Sequence, residues 1–372
     1  MLKVLIISLA NSSLSGGSVA SRSNFEALRD ATGAKVMVIG PADLDYATHP
    51  YIPSPNAAGK LASYARLRPA INYGAAMKVV RTAMADPADL IFIDSSLLGL
   101  LVPMLRRGYP DIRIVTFFHN VESAAYFSMM SRANPMSWLR LASMYRAERL
   151  AAHSDYRVAL SKTDDRLMDR MFGASSNVIW PITYPPADLT PRKRDVEDDY
   201  VLFVGGYYKP NLEAIAYLAA RIAPHVNKKV VVAGFNLGKI RPQYENHANL
   251  IVLDSPPSLA SLYQHASLIV APIFSGGGVK TKIIEAFSYG RIVVASREAA
   301  HGFESISSNS LRIAAGDDDY IDAINAASAA PADPAIIAEF DRYFSAQAKV
   351  ALVRDMFAAI EKRVGAGLIA SV

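Results

Sequence analysis

Ten short runs of Val, Ile, Leu and Phe recur along the chain, each separated from the next by a stretch with helical patterning, and this alternation restricts the fold more than any other feature. The runs are KVLIISL from Lys3, AKVMVIG from Ala34, DLIFID from Asp89, IRIVTFF from Ile112, YRVALS from Tyr156, YVLFVGG from Tyr200, KVVVAG from Lys229, NLIVL from Asn249, SLIVAP from Ser267 and RIVVAS from Arg291. Continuous apolar character, rather than alternation, means that both faces of each strand are covered. Parallel sheets with helices on both sides, linked by right-handed βαβ units, meet that requirement. The fold class is therefore α/β.

At 372 residues the chain is long for one domain and comfortable for two. The boundary falls in PITYPPADLTPRKRDVEDDY, residues 181 to 200, where four prolines and a run of mixed charge separate two α/β series. The expected domains are residues 1–185 and 186–344. Residues 345–372 form a final helix with no strand after it, which must dock on something already folded. Each series opens with a strand followed by glycines, ISLANSSLSGG in the first and FVGGYYKPN in the second.

Composition removes several classes. The absence of cysteine excludes disulfides and thiolate metal sites and suits a reducing compartment, so the cytoplasm is the expected location. MLKVLIISLANSS imitates a secretory signal, but its apolar core is short and a strand, turn and helix fit it better. The longest apolar candidate, LIFIDSSLLGLLVPML from Leu90, is split by Asp94, so no membrane span is expected. Residues 1 to 185 hold 20 Lys+Arg against 14 Asp+Glu, whereas residues 186 to 372 hold 19 against 20. That excess points to an anionic membrane surface or anionic acceptor, with Arg66, Arg68, Arg106, Arg107, Arg140 and Arg146 as candidate contacts. Charge that only aids solubility is the competing explanation. No basic stripe interleaved with aromatics suggests nucleic acid. The segment PMSWLRLASMYRAERL, with Trp138, Arg140, Arg146 and Arg149, has the residue mix of a membrane-surface helix. Its arginines do not share one face, so it reads as a packed helix with solvated arginines.

The most chemical segment is VAPIFSGGGVKTKIIEAFSYG, residues 270 to 290. Gly276, Gly277 and Gly278 allow close approach of backbone to an anion, and the start of the following helix favours negative charge. Lys280 and Lys282 add cations. Lys282 and Glu285, three apart, share a face, so a carboxylate able to accept from two vicinal hydroxyls stands behind a phosphate site. A nucleotide diphosphate carries both groups. The competing reading is a strand-to-helix turn that needs glycine for geometry alone.

From Phe203 to Gly302 the sequence resembles the retaining GT-B glycosyltransferases of family four. The segments FVGGYYKPNLEAI, KVVVAG, SLYQHASLIVAP, GGGVKTKIIEAFSYGRIVVAS and HGFE stand in the order and spacing of that family's nucleotide-binding domain. Gly16-Gly17 resemble its glycine loop, and FFHN at 117–120 its active-site histidine loop. The resemblance implies two Rossmann-like domains facing across a cleft, the first for the acceptor and the second for the nucleotide sugar, with the last helix crossing back to the first. It implies a nucleotide diphosphate sugar as donor and a polysaccharide or lipid-linked glycan as acceptor, with no cofactor.

Residue by residue, the resemblance implies that Glu285 holds the ribose and that Lys280 or Lys282, with Gly276, Gly277, Gly278 and Thr281, holds the diphosphate. Gly205 and Gly206 would face it, with Lys209 adding charge. His119 and Asn120 would lie by the donor sugar, the Gly16-Gly17 loop would close over it, and Asp254 would lie near the base. One position departs from the pattern: Gly277 stands eight residues before Glu285, where many members carry a first glutamate that addresses the transferred sugar. A non-catalytic nucleotide-sugar-binding subunit therefore remains the alternative. An NAD-linked oxidoreductase fits poorly, because neither glycine loop gives GxGxxG with an acidic residue at the end of the next strand.

The acidic clusters Asp43/Asp45, Asp198/Asp199 and Asp317/Asp318/Asp319 read as turns and caps rather than metal ligands, so a metal-independent reaction is expected. His119, Lys282 and Glu285 are the candidate catalytic residues. Glu122 is expected to open a helix in preference to acting as a base.

Overall fold

The computed structural model describes residues 3–10, 16–33, 35–51, 66–67 and 71–369. The chain divides into two compact units, the first comprising Met1–Thr183 with Ala346–Val372 and the second Tyr184–Ser345.

In the first unit, β1 (Lys3–Ile7) and β2 (Lys35–Pro41) flank α1 (Gly16–Thr32), and β3 (His49–Tyr51) follows. After α2 (Tyr73–Ala85) come β4 (Leu90–Ile93), α3 (Leu101–Gly108), β5 (Arg113–Phe118), α4 (Glu122–Met129), α5 (Pro135–Ala151), β6 (Tyr156–Ala159), α6 (Lys162–Phe172) and β7 (Val178–Ile179). All pair in parallel, in the order β3-β2-β1-β4-β5-β6-β7. Every residue of β4 is buried, as the continuous LIFI run requires. The apolar stretch from Leu90 is thus a strand, a short turn and the helix α3, and no described helix is long and apolar enough to cross a membrane.

The second unit holds β8 (Tyr200–Val204), α7 (Lys209–Tyr217), β9 (Lys229–Gly234), β10 (Leu250–Asp254), α8 (Ala260–His265), β11 (Ile269–Ala271), α9 (Thr281–Ser288), β12 (Val293–Ser296), β13 (Leu311–Ala314), α10 (Asp317–Ala326) and α11 (Pro334–Phe344). Its sheet is parallel in the order β10-β9-β8-β11-β12-β13. Both sheets therefore run outward from their first strand in two directions. Doubly wound sheets of this kind bind ligands beyond the carboxyl ends of the strands where the order reverses. Those points are β1/β4 in the first unit and β8/β11 in the second.

All ten expected runs are strands. The strands without a sequence signal, β3, β7 and β13, lie at sheet edges. The proline-rich stretch is not a loose tether. Gln264 on α8 donates to the carbonyls of Asp188 and Thr190 and accepts from the Arg192 amide, while Ser261 donates to the Lys193 carbonyl.

The final helix, α12 (Ala346–Ile369), belongs to the first unit and packs against α1. Val353, Met356, Phe357 and Ile360 are buried in doing so. Burial of side chains of that size contributes roughly 1.5–3 kcal/mol each, which keeps a helix attached that has no strand partner.

Candidate functional site

At the β1/β4 switch point, Asp94 follows β4 and is almost fully buried. Its carboxylate accepts from the Ser8 hydroxyl at 2.9 Å and from the Asn24 amide at 2.8 Å. His119, at the end of β5, places Nε2 2.9 Å from the Asp94 carbonyl oxygen and 3.4 Å from both its carboxylate and the Ser21 hydroxyl. Phe117 meets the imidazole edge-on at 4.7 Å. Burial would raise the Asp94 pKa, but the His119 charge and the hydrogen bonds outweigh it and hold the carboxyl below the usual range. Burial likewise opposes a charged His119, and Asp94 outweighs that, so the imidazole is raised. His119 Nδ1 is buried without a hydrogen-bond partner among the described residues.

Glu148 on α5 organises the turn that carries His119. Its carboxylate accepts from the backbone amides of Glu122 at 2.6 Å and Ser123 at 3.0 Å, from the Ser123 hydroxyl, and from Ser96 at 3.3 Å. Val121, the residue before α4, offers no side-chain cap, so Glu148 satisfies the first-turn donors from another helix. The same carboxylate reaches the turn after Asp94. Burial pushes Glu148 up to about 7. At Gly99 an added Cβ would lie 1.9 Å from the Ala147 carbonyl oxygen, so only glycine admits α5 this close. Glu122 is the first residue of α4, as expected, with its carboxyl raised by burial.

Lys349 on α12 completes the first-unit cluster. It is 1% exposed, donates to Ser23 at 2.9 Å and lies 5.8 Å from the Phe117 ring. Burial pushes it down to about 7. Gly16 and Gly17 begin α1, and residues 11–15 of the expected glycine loop lie outside the described residues. Asn120 follows His119 in the bend before α4.

At the β8/β11 switch point of the second unit, Gly205 and Gly206 follow β8, and the loop 272–280 follows β11. Gly276 and Gly278 take φ of +91° and +76°, the left-handed region that glycine enters without strain. Lys280 folds back on this loop and donates to the carbonyls of Gly276, Gly277 and Gly278 at 3.2, 3.2 and 2.8 Å. It acts as the loop's internal clamp. On α9, Ile283, Ile284, Ala286 and Phe287 are buried in the core, while Thr281, Lys282 and Glu285 form the half-buried face.

Lys282 donates to the Asn211 side-chain oxygen at 2.9 Å and lies 4.4 Å from the Phe203 ring centre. Desolvation, with Lys280 nearby, pushes it down to about 7. Asn211 in turn donates to the Gly206 carbonyl at 3.0 Å, and a Cβ on Gly205 would sit 2.7 Å from it. One asparagine thus ties the glycine turn after β8 to the lysine of α9. Glu285 accepts from the Tyr263 hydroxyl at 3.1 Å, and burial pushes its carboxyl up to about 7. Tyr263 stacks on Tyr289 at 5.1 Å. Glu285 and Lys282 are therefore both held in place and both poorly solvated.

Two expected contributors stand apart from this pair. Lys209, the first residue of α7, has a 75% exposed side chain 3.9 Å from Glu213. Asp254 spends its carboxylate on Ser255 and the backbone amides of Gly238 and Leu237, which holds it below the usual range. It borders a hollow of about 590 Å³ with Arg192, Arg241, Leu253, Pro257 and Leu262. The acidic clusters are committed elsewhere: Asp45 pairs with Arg22, Asp199 with Lys228, and Asp317 with Arg221 and Tyr217.

Comparison with known proteins falls on the same segment. Residues 198–329 match the family model of glycosyl transferases group 1. The match lies within the second unit. Over the whole chain the fold is that of GT-B glycosyltransferases. Anabaena HepE, solved with UDP-glucose, matches with TM-score 0.69 and 14% identity over 96% of this chain and 100% of its own. The lipopolysaccharide outer core galactosyltransferase WaaB matches with TM-score 0.64 and 14% identity over 97% and 100%. A glycosyltransferase from Rickettsia africae gives TM-score 0.64 and 14% identity over 98% of each chain. At such identity the likeness is one of fold. No curated protein matches the sequence.

Asn211, Tyr263, Asp94, Ser21, Asn24 and Glu148 had no signal as site residues. Asn211 and Tyr263 do stand inside the quoted segments FVGGYYKPN and SLYQHASLIVAP. An amide or phenol beside a glycine turn or strand was the only trace available.

Proposed function

We propose that the chain is a hexosyl-type glycosyltransferase that moves a sugar from a nucleotide diphosphate sugar to a polysaccharide or lipid-linked glycan, with retention and without a metal ion. One observation carries the reading: within the segment that matches the group 1 model, Lys282 and Glu285 share the half-buried face of a helix that starts after a left-handed glycine turn at the β8/β11 switch point. The UDP-glucose complex of the structurally similar HepE supports a nucleotide sugar as donor.

In this reading Lys282 meets the diphosphate and Glu285 the ribose hydroxyls. The anomeric C–O bond breaks as charge grows on the leaving diphosphate, and Lys282 with the helix start stabilises that charge. The acceptor oxygen forms the new C–O bond, and its proton passes to a diphosphate oxygen on the same face. No side-chain base is required. His119, its ring fixed by Asp94, lies by the donor sugar.

Titration with nucleoside, monophosphate and diphosphate, followed by thermal shift, tests the assignment, since bound ligand stabilises the folded state by mass action. Affinity should rise with phosphate number, and equal affinities would remove the phosphate site. Turnover should persist in EDTA; loss restored by manganese or magnesium would overturn the metal-independent step. Gly277, in place of a family glutamate, favours a second reading, a nucleotide-sugar-binding subunit without catalysis. Slow donor hydrolysis separates the two, because such a subunit binds without turnover.

A further inference from the structure

The helical hairpin formed by α4 and α5 presents an apolar, cationic tip. From residue 123 to residue 147 the chain has no Asp or Glu, yet carries Arg132, Arg140 and Arg146. Among the described residues thirteen large hydrophobics are exposed, and five fall in this stretch: Phe127, Met129, Met136, Trp138 and Tyr145. Scattered single exposures are ordinary, but this concentration in one hairpin is not.

The tip is ordered from within. Phe127 and Trp138 meet edge to face at 6.2 Å, and Arg132 lies 5.2 Å over the Phe127 ring. Trp138 Nε1 donates to the Arg132 carbonyl at 3.0 Å, so the indole can enter an apolar medium without losing that bond. Asn134 caps α5 by accepting from the Met136 amide at 2.9 Å. Arg140 lies 4.8 Å over Tyr126. Meanwhile the inner side of α5 buries Ser143, Met144, Ala147 and Glu148. The helix is packed, as its sequence suggests, but its outer side and the turn before it are not simply solvated.

We propose that this hairpin tip docks on an anionic lipid bilayer, with Phe127, Met129, Met136 and Trp138 entering the headgroup boundary and the arginines meeting lipid phosphates. Charge complementarity selects this occupant. Cationic side chains with long apolar stems, interleaved with Trp, Phe and Met and free of acids, match an anionic surface over an apolar interior. Of the other candidates for surface contact, Arg106 is tied to Asp155 at 2.5 Å and to the carbonyls of Pro110 and Ile112; Arg68 lies outside the described residues.

The chain carries its own reporter. It has two tryptophans, of which Trp180 is fully buried against Phe92 and Trp138 is 46% exposed. The full chain is mixed with vesicles of phosphatidylglycerol and phosphatidylcholine, or of phosphatidylcholine alone, at low and high salt. Trp emission should shift to the blue with anionic vesicles only, be quenched by brominated lipid, and revert with salt. Arg132→Glu should lower vesicle partition about tenfold or more, and Phe127→Ser should reduce the blue shift. Nucleotide affinity in the second unit should stay unchanged in both, which separates this proposal from the donor assignment. An unshifted Trp138 on anionic vesicles, or co-sedimentation unaffected by Arg132→Glu, would overturn it. Self-association without lipid that both substitutions abolish would also overturn it, in favour of a second copy of the chain.

Discussion

At the carboxyl end of β4, Asp94 accepts from Ser8 and Asn24 and faces His119, so the two charges at this switch point compensate each other. At the corresponding point of the second sheet, Lys282 has a neutral amide and a ring, and Glu285 a phenol. The strand order is shared, but one switch point is electrically closed and the other open. The pKa directions show it: Asp94 is lowered and His119 raised, each stabilising the charged partner, while Lys282 and Glu285 both move toward neutrality near 7. A pair that is complete costs most when broken. Groups left poorly solvated gain most when a charged, hydroxylated ligand arrives.

The sharpest test of this contrast is Asp94→Ala, which leaves Asn24 and Ser8 without their acceptor and His119 without its counter-charge, although the backbone carbonyl it bonds remains. Loss of one partner of a buried pair costs roughly 3–5 kcal/mol, so thermal or urea unfolding of the first unit should show a large destabilisation. A melting temperature like that of the parent chain would mean the network is not a stabilising one.

Lys282→Ala should act the other way. Turnover per donor concentration should fall about a hundred- to a thousandfold, with ligand-free stability unchanged or higher, because a desolvated ammonium is gone. Steady-state kinetics beside calorimetry decides it. A strongly destabilised variant with normal kinetics would place Lys282 in the structural class with Asp94.

Glu285→Gln keeps shape and one acceptor, but loses the charge that strengthens hydroxyl hydrogen bonds. A fall of about ten- to a hundredfold in kcat/KM is expected, with little change in ligand-free melting. Glu148→Gln lies between the two classes. It leaves one of the α4 amides unmatched, for a loss of about 1–3 kcal/mol, and it loosens the His119 turn, so kcat should fall while nucleotide affinity holds. Equal kcat would confine Glu148 to folding.

The smallest effect is in pH. Glu285, raised to about 7, binds its proton more tightly when folded, so ligand-free stability should fall as pH climbs from the ordinary glutamate range to about 7. Lys282, lowered to about 7, loses its proton more readily when folded, so stability should recover from about 7 toward the ordinary lysine range. The His119–Asp94 pair behaves oppositely. Its contribution is lost as pH falls through the depressed Asp94 value and as pH rises through the elevated His119 value. Above pH 7, where Glu285 is already ionised, diphosphate binding should take up a proton at Lys282, visible as a buffer-dependent heat in calorimetry. Binding heat independent of the buffer would show Lys282 already charged.

The sequence by itself determined the interior strands and the glycine-lysine segment, because both are written locally. A strand covered on both faces needs an unbroken apolar run, and YVLFV or LIFI can be read without knowing its neighbours. Three of the four edge strands do not carry that mark, β10 being the exception: β13 is LRIA with Arg312 and Ile313 exposed, and β7 is two residues long. Gly276 to Glu285 likewise stand within one turn and one helix, so their spacing alone places cations behind glycines. What only the tertiary structure decided is the environment of those charges. Tyr263 reaches Glu285 across 22 residues, Asn211 reaches Lys282 across 71, and Lys349 reaches Ser23 across 326. The residue types allow many partners, and chain topology selects among them. A sequence shows that Lys282 and Asp94 are ionisable; only packing fixes which is desolvated with a neutral amide and which is buried with a compensating imidazole, because solvation and pairing belong to the folded surroundings and not to the residue.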